Sequence, residues 1–170
     1  NRGKIIAADR HAEALEQLKK RSIRAGCTNI ELAEDAEKIK EYLAKADKVI
    51  VDAPCSGLGV LARNPDIKWR LKPEDILPLV KEQQAILKYY STFVRPGGEL
   101  IYGTCTLNPD ENEHVIRNFL LENADFQIVK DTTEKFKRCI DGEGFFSVNP
   151  HEHGLSGFFG CKMIRKQVPV

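Results

Sequence analysis

The chain has 170 residues, 42% of them apolar and 30% charged, and a formal net charge of +1. That is enough chain to bury one hydrophobic core, with the composition of an ordinary globular domain. No apolar run approaches the ~20 residues a membrane span needs, and the near-zero charge means that any contact with nucleic acid must come from a local basic patch or from residues outside these 170.

Strand-like and helix-like segments alternate along the chain. Residues 4–9 form a short apolar run that ends on Asp9. Residues 11–25 carry Leu15, Leu18 and Ile23 at helical spacing, and Gly26 closes that helix. Residues 30–32 read as a second strand ending near Glu34 and Asp35, and a short helix with Ile39 and Leu43 follows. Residues 48–52 are a third strand, rich in β-branched side chains and ending on Asp52. Residues 56–72 read as a loop. Pro73 suits the first turn of a long helix reaching about Val94, with Leu79, Ile86, Leu87 and Tyr90 on its apolar stripe. Residues 95–98 read as a turn, and 99–103 as the fourth strand. Asn108, Pro109 and Glu111 have the spacing of a helix start, with Asn as cap and Glu three residues on. Residues 126–129 form a further strand, 130–150 read mostly as loop, and 157–164 as the closing strand.

Such alternation predicts an α/β fold: a mainly parallel sheet with helices on both faces. Ligands in these sheets bind beyond the carboxyl ends of the strands. Asp9, Asp52 and Cys105 stand at three such ends.

The five cysteines are Cys27, Cys55, Cys105, Cys139 and Cys161. They are odd in number and contain no C-x-x-C pair, which argues against a disulfide framework or a zinc site and for a reducing, cytoplasmic setting. Asp9 can accept hydrogen bonds from ribose hydroxyls in a nucleotide-binding fold, or it can serve the following helix as an N-terminal carboxylate. Asp35 can read an adenine amino group or cap the next helix. Arg63, Lys68, Arg70 and Lys72 surround Trp69, a pattern that suits phosphates and a stacked base, or a solvated loop with the tryptophan packed down. His151 and His153 have metal-like spacing without acidic or cysteine partners nearby in sequence, so no metal is expected.

The most specific stretch is Asp52-Ala53-Pro54-Cys55-Ser56-Gly57, continuing through Gly59 and through Arg63-Asn64-Pro65-Asp66-Ile67-Lys68-Trp69. A second stretch, Thr104-Cys105-Thr106, precedes Asn108-Pro109-Asp110-Glu111-Asn112-Glu113. Pro150-His151 and Gly157-Phe158-Phe159 come near the end. Together these resemble the NOL1/NOP2/Sun family of RNA cytosine-C5 methyltransferases over nearly the whole chain.

The resemblance implies a Rossmann-like class I methyltransferase fold, with residues 1–170 as a partial catalytic domain. The family's first strand and glycine-rich loop would precede Asn1. It implies S-adenosylmethionine as cofactor, held by Asp9, Asp35, Asp52 and Pro54. It implies Cys105 as the nucleophile that adds to C6 of cytosine, Cys55 as the residue that assists release, and Asp52 as the holder of the cytosine edge. A thiolate suits this covalent catalysis, because its addition at C6 makes C5 enamine-like and able to accept a methyl group. Arg63 and Lys68 would contact RNA, with ribosomal RNA ahead of tRNA. The competing expectation is a non-catalytic RNA-binding module that keeps the fold. Loss of either cysteine would favour that reading, and both are present. No G-x-G-x-x-G follows a strand, against a dehydrogenase, and no G-K-[ST] occurs, against a phosphate-binding NTPase.

Overall fold

The computed structural model describes residues 1–33, 36–130 and 133–167. They fall into two compact units, Asn1–Leu43 and Ala44–Val170. Asp35 and Glu34 lie outside the described residues.

In the first unit, β1 (Ile5–Ala7), α1 (Ala12–Arg24) and β2 (Ile30–Leu32) form a strand–helix–strand repeat, followed by α2 (Ala36–Lys40). β1 and β2 pair in parallel, with Ile5 opposite Ile30. The chain leaves α1 through Gly26, at φ +65°, a conformation that favours glycine. Lys4 ties the two strands at one end, its Nζ lying 2.7 Å from a Glu31 carboxylate oxygen and donating to the Tyr42 hydroxyl at 2.7 Å.

The second unit runs β3 (Ala46–Asp52), α3 (Ile67–Arg70), α4 (Ile76–Ser91), β4 (Val94–Thr104), α5 (Glu113–Glu122), β5 (Phe126–Ile128), β6 (Phe145–Val148), α6 (Pro150–His153) and β7 (Phe158–Arg165). Its sheet has the order β3-β4-β7-β5, with β6 also paired to β7. β3 and β4, joined through the long α4, are parallel. β7 runs antiparallel to β4, β5 and β6, so the sheet is mixed at that side. This follows from the connections. A parallel neighbour needs a crossover, whereas antiparallel neighbours are reached by shorter returns such as the one from β6 to β7.

The core comes from strand alternation. Leu100, Tyr102 and Thr104 fall on one face of β4 and are fully buried, as are Leu87 of α4 and Val115 and Ile116 of α5. With Val51, Phe119, Phe159 and Met163 the apolar members make one cluster, which clamps α4 and α5 onto the sheet. Each such side chain contributes about 1.5–3 kcal/mol on burial.

Three stretches differ from expectation. β4 begins at Val94 and passes through Pro96, Gly97 and Gly98. Pairing of Ala46 with Val94 gives way to Lys48 with Glu99, so the extra residues of β4 bulge out between those two register points. The stretch 56–72 holds a 3-10 turn at Leu58–Val60 and the helix α3. Residues 133–150 hold a 3-10 segment at Glu134–Cys139 and strand β6.

Candidate catalytic site

β3 and β4 are adjacent and parallel, so their carboxyl ends lie side by side. Ala53 extends the pairing by one residue, donating its N–H to the Gly103 carbonyl at 3.0 Å. Pro54 has no N–H to continue the ladder, and the chain turns away there. This places Cys55 beside Cys105, the first residue after β4. Their sulfur atoms are 3.2 Å apart, and both thiols are free and partly exposed. That separation is a hydrogen-bonding contact, well beyond a disulfide bond of ~2.05 Å. Burial, and next the hydrogen bond to Cys105, push the Cys55 thiol up to about 12. Cys55 therefore keeps its proton at neutral pH and can donate it toward the Cys105 sulfur.

Beneath the thiols lies a polar network that is buried. The fully buried side chain of Glu111 accepts from the Ser56 N–H at 2.8 Å, the Ser56 hydroxyl and Gln83 Nε2 at 3.0 Å. Thr104 Oγ1 donates to Asn112 Oδ1 at 2.6 Å, and Asn112 Nδ2 donates to the Thr106 carbonyl at 3.1 Å. The helix start is present as a 3-10 turn, Pro109–Glu111, with Pro109 in its first turn; what differs is the direction of the Glu111 side chain. Asn108 does cap, accepting from the Asp110 N–H at 3.1 Å, but Glu111 turns inward and α5 begins only at Glu113. Sequence reasoning did not find Gln83, Glu111 or Asn112. The acidic residue framed by Pro109 and Asn112 was the signal available.

Asp52 closes β3 with its side chain exposed, and Pro54 is half-buried. The Pro54 carbonyl accepts from Gln83 Nε2 at 2.8 Å. Asp9 is exposed in the N-terminal unit. Its Oδ1 accepts from the His11 N–H at 2.8 Å, turning the chain into α1. Arg63 and Lys68 are exposed. Trp69 is 82% exposed rather than packed down, with Lys68 Nζ 5.5 Å from its ring centroid. Arg70 is paired with Asp66 at 2.7 Å. Of the remaining cysteines, Cys161 is a core residue, and Cys139 Sγ lies 3.6 Å from His153 Nε2.

The family of RsmB/F 16S rRNA methyltransferases matches residues 1–164. A probable ribosomal RNA small subunit methyltransferase B of Synechocystis is 38% identical over 164 residues, covering 94% of this chain and 37% of its own length. The crystal structure of PH0851 superposes with a TM-score of 0.85 at 33% identity, covering 95% of this chain and 37% of that one. NSun6 from Pyrococcus horikoshii, solved with the ligand SFG, gives a TM-score of 0.81 at 28% identity, with 98% of this chain and 42% of that one covered. This chain therefore spans well under half the length of these relatives, and its fold is the α/β methyltransferase fold expected from its sequence. By the match over nearly its whole length, the chain belongs to the RsmB/F family of 16S rRNA methyltransferases.

Proposed function

We propose that the protein transfers a methyl group from S-adenosylmethionine to C5 of a cytosine in ribosomal RNA, through a covalent bond between Cys105 and C6, with residues 1–170 as part of its catalytic domain. The observation that carries this reading is the pair of thiols 3.2 Å apart at neighbouring strand ends. The Cys105 thiolate adds to C6, and electron density moves to C5. Asp52, exposed at the end of β3, holds the cytosine edge and favours a proton at N3. C5 takes the methyl group and then gives up its proton to solvent water acting as base, the electron pair of that C–H bond re-forms the C5–C6 double bond, and the C6–S bond breaks so that Cys105 leaves as a thiolate. The Cys55 S–H, beside that sulfur, stabilises the departing charge by hydrogen bonding.

Asp9 lies just past the parallel strand β1 and Asp52 closes the parallel strand β3, each exposed, and a carboxylate at such a strand end can accept from ribose hydroxyls or face a cationic ligand group. Asp9 would hold the ribose hydroxyls, Asp35 the adenine, and Asp52 with Pro54 the part nearest the thiols. When bound, S-adenosylmethionine supplies an electrophilic methyl carbon. Arg63 and Lys68 contact RNA phosphates beside the exposed Trp69. An RNA substrate and five cysteines without a disulfide among the described residues fit a cytoplasmic protein. Among the described residues no helix is long and apolar enough to cross a membrane.

The direct test is full-length protein carrying Cys105→Ala. Methyl transfer to RNA should vanish while RNA affinity is kept. Methylation at the wild-type rate would sink the proposal.

A further inference from the structure

We infer that Glu111 is the positioning residue of the two-thiol centre, its buried carboxylate joining the residue after Cys55 to the residue after Cys105 and so setting the distance between the sulfurs. The inference rests on the adduct chemistry proposed above, but the geometry it claims can be measured without that chemistry.

Glu111 is fully buried, and its carboxylate accepts from neutral donors. Oε1 accepts from the Ser56 N–H at 2.8 Å and Gln83 Nε2 at 3.0 Å. Oε2 accepts from Ser56 Oγ, from Thr106 Oγ1 at 3.3 Å and from Asn108 Nδ2 at 3.4 Å. Ser56 and Thr106 also touch each other, hydroxyl to hydroxyl, at 2.7 Å. Gln83 Nε2 reaches on to the carbonyl of Pro54 at 2.8 Å, so Cys55 is anchored through the residue on each side. The Glu111 backbone is held as well, since the Tyr102 hydroxyl donates to its carbonyl at 2.8 Å.

These donors come from the segments after β3 and after β4 and from α4. The two cysteine loops also meet directly, through the Ser56 and Thr106 hydroxyls, and the Glu111 carboxylate accepts from both of those side chains. A carboxylate suits the junction because both oxygens accept and neither donates. Burying a carboxylate is costly, and hydrogen-bond donors such as these offset the cost. A glutamine at this position would aim an NH2 group at donors on one side, and that side would part.

The experiment uses the full-length protein with Cys27→Ser and Cys139→Ser, so that within these 170 residues Cys55 and Cys105 remain as the accessible thiol pair. Phenylarsine oxide condenses with two adjacent thiols, forming two As–S bonds and releasing one water. Its capture, read by intact mass and by titration, reports the thiol geometry directly. Glu111→Gln should lower kcat roughly a hundredfold, as a displacement of ~1 Å does, with KM for RNA unchanged. It should also weaken arsenical capture by about tenfold or more, consistent with two thiols no longer held in register. Thr106→Val is a milder variant that keeps the side-chain shape, and both readouts should move in the same direction. If a folded Glu111→Gln or Thr106→Val protein captures the arsenical as tightly as the parent, the inference is overturned, whatever happens to its thermal stability. If capture is lost while Cys105→Ala protein still methylates RNA, Glu111 keeps its positioning role and the adduct mechanism falls.

Discussion

The Gly157 N–H donates to the carbonyl of Gly59 at 2.7 Å, and the Gly59 N–H donates to the carbonyl of Cys105 at 2.9 Å. The loops after β3 and β4 and the segment entering β7 thus meet backbone against backbone, directly behind the nucleophile candidate. A Cβ on Gly59 would sit 2.5 Å from the Gly157 carbonyl oxygen and 2.8 Å from that of Cys105. Neither contact is with the free end of a flexible side chain, so the backbone itself must move. Gly59→Ala should cost about 1–3 kcal/mol in urea denaturation, the usual range for overpacking, and should depress methyl transfer further by displacing Cys105. Gly142, which has open space around it, gives the control: Gly142→Ala should stay within about 0.5 kcal/mol. Equal stability of the two variants would show that the three-way contact is looser than described.

Stability should also fall at alkaline pH. Burial first, and the Asp141 charge second, push the Cys161 thiol up to about 12. In the unfolded chain the same thiol titrates near ~8.5. The folded protein holds the proton longer, so this contribution is complete below the unfolded value and is lost as pH rises toward the folded one. At pH 10 the loss from Cys161 is about 2 kcal/mol relative to pH 7. Cys55 acts in the same direction, with a smaller share because part of it faces solvent. Cys161→Ala should be less stable than the parent at pH 7 through lost packing, yet its decline from pH 8 to 10 should be shallower. Parallel declines in urea melts would rule out the buried thiol as the source.

Trp69 offers a prediction that separates RNA contact from packing. Its ring is 82% exposed, so Trp69→Ala should leave the melting temperature unchanged. If the ring stacks on a base, the substitution should weaken RNA binding by about 1–3 kcal/mol. Arg63→Ala and Lys68→Ala should each weaken binding and flatten its salt dependence by roughly one phosphate contact. Lower stability with unchanged RNA affinity would return the tryptophan to a structural role.

The two cysteines were legible in the sequence because each follows a strand end, and strand ends are written locally as an apolar run that stops. The adjacency of β3 and β4 then brings the thiols together without further information. Glu111 was not legible in the same way. Its spacing from Asn108 matches a helix-capping pattern, a local signal, whereas its shorter carboxylate contacts, with Ser56 and Gln83, reach 55 and 28 residues away in the chain. Strand β6 was hidden for a related reason. Residues 145–148 are too few to declare a strand alone, and they become one by pairing with β7, with Phe145 opposite Cys161. The length of β4 escaped because Pro96-Gly97-Gly98 signals a turn. The sheet absorbs those residues as a bulge, with Gly97 at φ +77°, and resumes pairing at Glu99.

The roles of the two thiols can be told apart by trapping. In the proposed cycle Cys105 forms the bond to C6, and the Cys55 S–H stabilises it as it leaves. Cys55 is suited to the second task because it retains its proton, pushed up to about 12 by burial and by its contact with Cys105. Full-length Cys55→Ala should therefore still attack and methylate, then stall as a covalent protein–RNA adduct. Cys105→Ala cannot form that bond. The target base has to leave its stack to reach either thiol, at a cost of a few kcal/mol that is smallest in a loop or single strand, so the RNA should present an unpaired cytosine. Mixed with this RNA and S-adenosylmethionine and run on a denaturing gel, Cys55→Ala should give a slow-migrating species. Cys55→Ala/Cys105→Ala should abolish it. A species that survives in the double variant means another residue forms the bond, and one that appears with Cys105→Ala alone exchanges the two roles. Because the Cys55 substitution also removes a sulfur 3.2 Å from that of Cys105, Cys55→Ser serves as a companion that restores a donor. It should accumulate less adduct than Cys55→Ala if hydrogen bonding to the departing thiolate is what Cys55 supplies.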